Sequence, residues 1–182
     1  LEYCKKRKLP VILATTGFSP EQKAEFTEAS KEIPVFFSAN MSLGINLIIS
    51  LAKTAAKLLE GNFDIEIIEK HHNQKIDAPS GTALAIADAI DDTLSYNAEY
   101  VYDRHSVRRK RKKTEIGIHA VRGGTIVGEH DVIFAGTDEV IELKHTAASK
   151  EVFAVGAIKA AKFMCDKSAG MYDMNDLISE LN

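Results

Sequence analysis

Two hydrophobic patterns alternate in the N-terminal part of the chain. Apolar runs at Leu9 to Ala14 and Ile33 to Ala39 have the composition of buried strands, and Phe63 to Glu69 is predicted to be a strand that ends just before His71. Between them, apolar residues recur every three or four positions, as they do on a helix with one buried face. This spacing predicts helices from Pro20 to about Ser30 and from Leu43 to Glu60. The alternation of strands and helices indicates βα units, which build parallel sheets.

Residues that favour helix ends stand at the boundaries of these two helices. Ser19 and Ser42 precede them as N-cap candidates, and Gly61 is placed to end the second helix. The N-terminal residues Leu1 to Arg7 are predicted to be the end of an earlier helix.

The second half of the chain shows strand alternation instead. Polar and apolar residues alternate in three segments, which predicts strands with one covered face: Glu115 to Arg122, Ile126 to Ala135 and Glu139 to Thr146. Gly123-Gly124 and Gly136 to Asp138 have the composition of hairpin turns between these strands. A helix capped by Ser149 and running to about Cys165, and a short helix after Tyr172, complete the chain. Residues 93–113 show no regular pattern.

Composition and charge exclude several classes of protein. Of the 182 residues, 45% are hydrophobic and 27% are charged, which is typical of globular proteins. The most apolar run, Leu43 to Ala52, has about half of the roughly 20 residues that a membrane-spanning helix needs. A net charge of −3 argues against general nucleic-acid binding. Cys4 and Cys165 are far apart and lack metal-type spacing, so we expect free thiols in a reducing cytoplasm.

The segment EKHHNQKIDAPSGTA, Glu69 to Ala83, concentrates the candidate chemistry. His71 and His72 can exchange protons near neutral pH, and Lys75 adds a positive charge. Pro79 suits the first position of a helix, whose free N–H groups at 80–82 would face an anion. The segment therefore predicts a site that holds a carboxylated or phosphorylated molecule while a histidine moves a proton.

This segment resembles the signature of the 4-hydroxy-tetrahydrodipicolinate reductase family. The histidine pair, the lysine four residues after His71 and the unbroken run from Asp77 to Ala83 carry the resemblance. Other segments match family landmarks in the expected order: Ala14 to Phe18, Ala39 to Ser42, Arg122 to Thr125 and Gly128 to His130. The resemblance covers nearly the whole chain. It implies NADH or NADPH as cofactor and a small dicarboxylate as substrate.

The resemblance also implies roles for individual residues. His71 would be the general acid and Lys75 would assist it as a supporting proton donor and electrostatic group. Substrate-binding positions are His72, Ser80, Gly81 and Thr82. Positions lining the nicotinamide half of the cofactor are Ala14, Thr15, Thr16, Ser38, Ala39, Asn40 and Met41. No metal is expected.

The implied fold class is α/β. We expect the remainder of a Rossmann-type dinucleotide-binding domain over residues 1–41, with its phosphate loop lying upstream of this sequence. An α+β substrate-binding and oligomerisation domain with a mixed, mostly antiparallel sheet would span 42–150. Residues 151–182 would return to the first domain. The family is usually tetrameric through the substrate-domain sheet, so we expect a homotetramer that contacts neither nucleic acid nor membrane.

Several alternatives remain open from the sequence. The protein could be another two-domain NAD(P)-dependent reductase of a carboxylated imine or aldehyde, or this chain could be a non-catalytic ligand-binding or assembly module. The basic run from Arg104 to Lys113 is read as a solvated loop, or as a charge that attracts the anionic substrate. Three strand histidines, His119, His130 and His145, could form a zinc site, although residues of a sheet face or subunit contact are favoured.

Overall fold

The computed structural model describes residues 1–15 and 17–180. The chain divides into two compact units. The first comprises residues 1–46 and the segment from Lys150 onward, and the second comprises Leu47–Ser149. The predicted domains over residues 1–41, 42–150 and 151–182, and the cofactor and substrate roles assigned to them, stay predictions.

The elements follow the expected alternation in the first half and add short strands later. In chain order they are α1 (Glu2–Arg7), β1 (Val11–Leu13), α2 (Pro20–Ala29), β2 (Pro34–Phe37), α3 (Leu43–Leu59), β3 (Asp64–His71), α4 (Gly81–Asp91), β4 (Glu99–Val101), β5 (Glu115–Arg122), β6 (Gly128–Ala135), β7 (Val140–Ala147), α5 (Glu151–Phe163), a 3₁₀ turn (Met164–Asp166), β8 (Gly170–Tyr172) and α6 (Met174–Glu180). None of the helices in the described residues is long and apolar enough to cross a membrane.

The first unit contains a parallel sheet in the order β1-β2-β8. Ser19 caps α2 as predicted: its side chain accepts from the Gln22 N–H, and the Gln22 side chain bonds the Ser19 N–H in return. Buried Phe36 on β2 packs with residues of α5 and α6, including Ala160 and Leu177. This arrangement confirms the predicted parallel βα units.

The second unit is built on a mixed sheet in the order β4-β5-β3-β6-β7. The β3–β5 and β4–β5 pairs are parallel, whereas β3–β6 and β6–β7 are antiparallel. Helices α3 and α4 contribute to one core with the sheet, and its fully buried members include Ala52, Ile67, Ile86 and Phe134. Along β3, side chains alternate between this covered face and an outer face that is less buried.

The Gly123-Gly124 connection is not a hairpin turn, contrary to the sequence prediction. Strands β5 and β6 are not neighbours, because β3 lies between them. The connection therefore crosses the end of β3, where the Gly123 N–H donates to the His71 carbonyl and the Asn73 N–H donates to the Gly124 carbonyl. The other predicted turn, at Gly136 to Asp138, is confirmed as the β6–β7 hairpin.

Other boundaries also differ from the predictions. Helix α4 begins at Gly81 with Ser80 as its N-cap, so Pro79 precedes the helix rather than starting it. Helix α5 has Lys150 as its N-cap instead of Ser149. Strands β4 and β8 were not predicted. Each has three residues, too few to show a strand pattern in the sequence, and each is stabilised by pairing with a strand that is distant in the sequence or separated by a long loop.

The basic segment is a largely exposed loop, as predicted, and ion pairs hold it on the second unit. Arg104 and Arg109 both bond the buried carboxylate of Glu115. Arg111 pairs with Asp64 and Glu66, and it donates to the Ile65 and Glu115 carbonyls. Hydrogen bonds from Arg104 and Arg109 lower the pKa of Glu115 to about 2 despite its burial. These arginines therefore serve the fold by neutralising the carboxylates of the sheet.

Candidate active site

The candidate site lies at the carboxyl end of β3. His71 is the last residue of this strand rather than part of a loop, because β3 extends two residues beyond the predicted end. Glu69 and His71 point to the same covered face, since side chains two residues apart in a strand share a face. The parallel register places Arg122 of β5 opposite His71, and the antiparallel register places His130 of β6 opposite Glu69.

Glu69 is the most fully bonded polar group at the site. Its side chain is completely buried. Arg122 donates to both carboxylate oxygens at 2.7 and 2.8 Å, and the Ser80 N–H donates at 3.0 Å. The Nδ1 atom of His71 lies 2.6 Å from Glu69 Oε2. Burial acts to raise the pKa of Glu69, but the hydrogen bonds from Arg122, His71 and Ser80 outweigh it and lower the pKa. Glu69 is therefore an ionised acceptor at neutral pH.

His130 packs against His71 and remains neutral. The two rings meet edge to face with centroids 5.2 Å apart. Burial lowers the pKa of His130 to about 4, and the nearby charges of His71 and Lys75 contribute in the same direction. Its Nε2 atom lies 3.2 Å from Ser80 Oγ. Because Ser80 Oγ already accepts from the Ala83 N–H, its own hydroxyl can donate to the neutral imidazole.

Lys75 and the start of α4 form a cationic corner next to these histidines. Lys75 Nζ lies 2.9 Å from Asp77 Oδ1. The hydrogen bond from Lys75 lowers the pKa of Asp77, and the Gly81 backbone N–H adds to this effect. A carboxylate of the chain itself thus lies where the sequence predicted that an anion would bind.

The predicted substrate-binding residues divide into two groups. The backbone N–H and the hydroxyl of Ser80 are both used inside the protein, and only 2% of the residue is exposed. Ser80 therefore supports the site, and in this conformation it offers no free group to a ligand. His72 is half-buried, and the space in front of the Gly81 Cα is open. Thr82 has a polar partner within the chain. Ligand contacts for His72, Gly81 and Thr82 stay predictions.

The sequence patterns did not single out Glu69, and they indicated His130 only as a possible zinc ligand or a residue of a sheet face or subunit contact. Arg122, which the sequence placed at a strand end, contacts the carboxylate of Glu69. Glu69 lies within the signature, so its spacing of two residues from His71 on a strand was the available signal. The approach of Arg122 and His130 depends on strand order, which the sequence did not reveal.

The predicted cofactor segments follow β1 and β2 in the first unit. These parallel strands end together, since Leu13 pairs with Phe37 and the Ser38 N–H donates to the Leu13 carbonyl. Ala14 and Thr15 are exposed, as is Ala39, whereas Ser38 and Asn40 are half-buried and bonded to each other. Thr16 lies outside the described residues. Small exposed residues at the carboxyl edge of parallel strands fit a nicotinamide cofactor.

Met41 differs from the other residues of these segments. It is only 4% exposed and belongs to the core of the first unit with Phe36 and Met164. Its carbonyl packs so closely against Gly156 that a Cβ there would overlap it. In this conformation the side chain is a packing residue and cannot reach a ligand.

The three strand histidines do not converge. His130 and His145 are paired on the covered face of β6 and β7. His119 lies on the outer face, with its Nε2 2.7 Å from Glu66 Oε2. Throughout residues 1–15 and 17–180, no three His, Cys, Asp or Glu side chains are grouped so as to hold a metal ion.

Two family models match most of this chain. The model described as "Dihydrodipicolinate reductase, N-terminus" matches residues 1–41, and the one described as "Dihydrodipicolinate reductase, C-terminus" matches residues 44–178. The chain belongs to the dihydrodipicolinate reductase family. The resemblance of its signature segment and its α/β fold class are thereby confirmed.

Relatives within the dihydrodipicolinate reductase family are close in sequence. A 4-hydroxy-tetrahydrodipicolinate reductase from Caldanaerobacter subterraneus subsp. tengcongensis is 65% identical over 96% of this chain and 69% of its own length. One from Clostridium tetani is 59% identical over 98% of this chain and 70% of its own. A solved structure of dipicolinate-bound dihydrodipicolinate reductase from Paenisporosarcina sp. TG-14 is 26% identical, with a TM-score of 0.77. That match covers 96% of this chain and 67% of the other.

Proposed function

We propose that the protein catalyses the NAD(P)H-dependent reduction of 4-hydroxy-tetrahydrodipicolinate to tetrahydrodipicolinate, a step in lysine and diaminopimelate biosynthesis. One observation carries this proposal: His71 is hydrogen-bonded to Glu69 beside Lys75 and the start of α4. This arrangement occurs in a chain of the reductase family. The other candidates, a reductase of a different carboxylated compound and a non-catalytic module, have no comparable support.

His71 is the proposed general acid. Reduction of a conjugated ring needs a proton as negative charge develops, and an imidazole can supply it near neutral pH. The Nδ1 atom of His71 is hydrogen-bonded to Glu69, and within the described residues its Nε2 atom has no hydrogen-bond partner. Nε2 is therefore the proposed proton-delivering atom. His130, with its pKa lowered to about 4, cannot replace it at neutral pH.

Lys75 and the start of α4 are proposed to hold a substrate carboxylate. Asp77 already lies against Lys75 and near the Gly81 N–H, so this corner accommodates a carboxylate. A dicarboxylate could take the place of Asp77, which is more than half exposed and free to turn toward solvent. The positive charge of Lys75 would also stabilise charge that develops on the ring.

The loops after β1 and β2 are proposed to bind NADH or NADPH through Ala14, Thr15, Ser38, Ala39 and Asn40. A bound reduced nicotinamide supplies the hydride. The exposed backbone at Ala14, Thr15 and Ala39 permits close approach of a planar ring.

An assay of cofactor oxidation against a panel of carboxylated imines and aldehydes tests the reaction. We expect 4-hydroxy-tetrahydrodipicolinate to give the highest kcat/KM by at least about 10²-fold, since sites built to bond a substrate's polar groups discriminate strongly. Lys75→Met should raise KM and lower kcat, while Lys57→Met, a control on α3, should change neither. Equal rates across the panel would contradict the proposed substrate.

A homotetramer is proposed through the outer face of the β6–β7 hairpin, defined by Asp131, Ile133, Val140, Glu142 and Lys144. Val140 is 58% exposed there. Asp131 Oδ1 is buried without a hydrogen-bond partner in the described residues, and burial together with Glu142 raises the pKa of Asp131. A second copy on this face would cover the apolar residues and offer Asp131 a donor.

Light scattering should give the mass of a tetramer for the wild type, and Val140→Lys should reduce that mass. A monomer at micromolar concentration would refute the assembly.

A cytoplasmic location is proposed from the thiols and the pathway. Cys4 and Cys165 are both free, and Cys165 is exposed. A reducing compartment keeps such thiols from pairing. Fractionation of cells should recover the activity with cytoplasmic markers.

A further inference from the structure

We propose that Glu69 is a positioning residue for the general acid, holding His71 by its Nδ1–H so that Nε2 alone faces the substrate. The inference rests on the proposed function, because it gives His71 its proton-transfer role. It adds Glu69 and Arg122 to the residues on which the reaction depends.

The hydrogen-bond inventory of Glu69 determines the direction of its bond to His71. An ionised carboxylate only accepts hydrogen bonds, and Glu69 accepts from Arg122 and from the Ser80 N–H. With its pKa lowered, it has no proton to give to the ring. The contact of 2.6 Å to His71 Nδ1 must therefore be an N–H of His71 donating to Glu69. After His71 delivers a proton, the neutral ring must carry its remaining proton on Nδ1.

Arg122 keeps Glu69 both ionised and fixed. Its two terminal nitrogens bond the two carboxylate oxygens in a fork, the geometry that holds a planar carboxylate most firmly. Arg122 Nη2 also donates to the Asp77 carbonyl at 2.7 Å. One guanidinium thus connects the carboxylate behind His71 with the segment that carries Lys75.

His71 is only 8% exposed, and the space beside its Nε2 atom depends on Gly128. A Cβ added at Gly128 would lie 3.2 Å from His71 Nε2, so the absence of a side chain there leaves room next to this atom. The His130 ring packs against His71 edge to face and limits its rotation. The ring is therefore bonded at Nδ1 and packed against His130, and Nε2 has no hydrogen-bond partner in the described part of the chain, as a directed proton donor requires.

The test compares Glu69→Gln with Glu66→Gln in the full enzyme. Glutamine retains the shape of glutamate, and its oxygen can still accept from Arg122 Nη2 and the Ser80 N–H. Its amide N–H₂ would then face both His71 Nδ1 and Arg122 Nη1, where glutamate offers an acceptor. We expect kcat to fall by about 10²-fold with KM changed by less than about threefold, because only the proton-delivering step is affected. Glu66 is a matched control, since it lies on the same strand, bonds arginines and contacts a histidine on the opposite face. Glu66→Gln should leave kcat within about twofold of wild type.

Two further measurements separate positioning from a purely structural role. In a His71→Gln background, Glu69→Gln should lower the remaining rate by no more than about twofold, because residues that act as a unit are non-additive. Nitrogen NMR of the wild type, at a pH where His71 is neutral, should show the Nδ1–H tautomer, and Glu69→Gln should shift it toward Nε2–H.

Each outcome decides the proposal. An Nε2–H tautomer in the wild type would overturn it even if the Glu69 variant fails to fold. Equal loss of kcat in the Glu69 and Glu66 variants, or a full multiplicative loss in the His71→Gln background, would also overturn it. If the wild type does not reduce 4-hydroxy-tetrahydrodipicolinate, the proposed function fails, whereas the tautomer measurement still decides the role of Glu69.

Discussion

Strand β3 carries a glutamate bonded to arginine and histidine on each of its two faces. On the covered face, Glu69 binds Arg122 and His71. On the outer face, Glu66 binds Arg104, Arg111 and His119. The two clusters have the same residue types and similar distances. What differs is their surroundings, because His71 bonds Glu69 through Nδ1 and leaves Nε2 without a partner in the described residues, whereas His119 uses Nε2 to bond Glu66.

This difference shows that an acid–histidine pair does not by itself make an active site. The outer cluster is saturated by a segment of the chain that supplies several cations to Glu66 and Glu115. Within residues 1–15 and 17–180, the His71 Nε2 atom of the covered cluster has no hydrogen-bond partner, and Lys75 pairs with a more than half-exposed carboxylate, that of Asp77. We therefore expect changes in the covered cluster to affect catalysis and changes in the outer cluster to affect stability.

The largest contrast is expected between the two histidines. His71→Gln should lower kcat by about 10²- to 10⁴-fold, the range for loss of a general acid. His119→Gln should leave kcat nearly unchanged, because that ring lies on the opposite face. Steady-state kinetics of both variants measures this directly, and comparable losses would remove the distinction between the clusters.

Glu115, a buried carboxylate that shares Arg104 with Glu66, should give the largest change in the free energy of unfolding. Glu115→Gln should lower the free energy of unfolding by about 3 kcal/mol at pH 7, since it leaves two arginines without their buried partner. The folded pKa of about 2 lies below the ordinary value of 4.5. The stabilisation from Glu115 is therefore fully present above about pH 4.5 and is lost as the pH falls toward 2.

Urea unfolding at several pH values tests this expectation. The wild type should lose stability between pH 4.5 and 2 more steeply than Glu115→Gln. Glu99→Gln is the exposed control, and it should cost less than about 1 kcal/mol because Glu99 is nearly half exposed. Parallel pH curves for wild type and Glu115→Gln would contradict the expectation.

Two glycines allow each cluster to be disturbed by a single methyl group. Gly128→Ala should lower kcat by about tenfold, because the methyl group would crowd His71 Nε2 at 3.2 Å. Gly117→Ala should instead displace the Glu66 carboxylate, which a Cβ would overlap, and lower stability by about 1–2 kcal/mol. Steady-state kinetics and urea unfolding should show mainly a loss of kcat in Gly128→Ala and mainly a loss of stability in Gly117→Ala. Equal changes of both quantities in the two variants would count against separate roles for the clusters.

The smallest effect is expected at Asp77. Asp77→Asn should lower KM by about threefold with little change in kcat, since it removes a charge that competes with substrate for Lys75. The difference in KM between Asp77→Asn and the wild type should become smaller as salt is added, because salt screens the charge of the exposed Asp77 carboxylate. A KM that rises would indicate that Asp77 positions Lys75 rather than competing for it.

Local patterns revealed much of the fold. Strand β5 matches its prediction from Glu115 to Arg122, and Ser19 and Ser42 both accept the expected N–H bonds at helix starts. These features depend on neighbouring residues only. Strand β4 was missed because its place in the sheet comes from pairing with β5. Likewise, no local signal predicts that β3 separates β5 from β6.

The candidate site shows the same division between local and distant information. His71, Lys75 and the start of α4 lie within one signature and could be found from it. Arg122, by contrast, is 53 residues from Glu69, and His130 is 50 residues from Ser80. Their roles became visible only with the strand order, because three different strands bring these side chains to one face.

The alternating faces of β3 also limit how this segment can evolve. Deleting or inserting one residue between Asp64 and Glu69 would turn the downstream side chains over, exchanging the proton donor with the outward-facing positions. Such a change would abolish both catalysis and the ion pairs that stabilise the sheet, because the same strand supplies Glu66 and Glu69. Length variation among related enzymes should therefore be found in the connections around this strand and not within it.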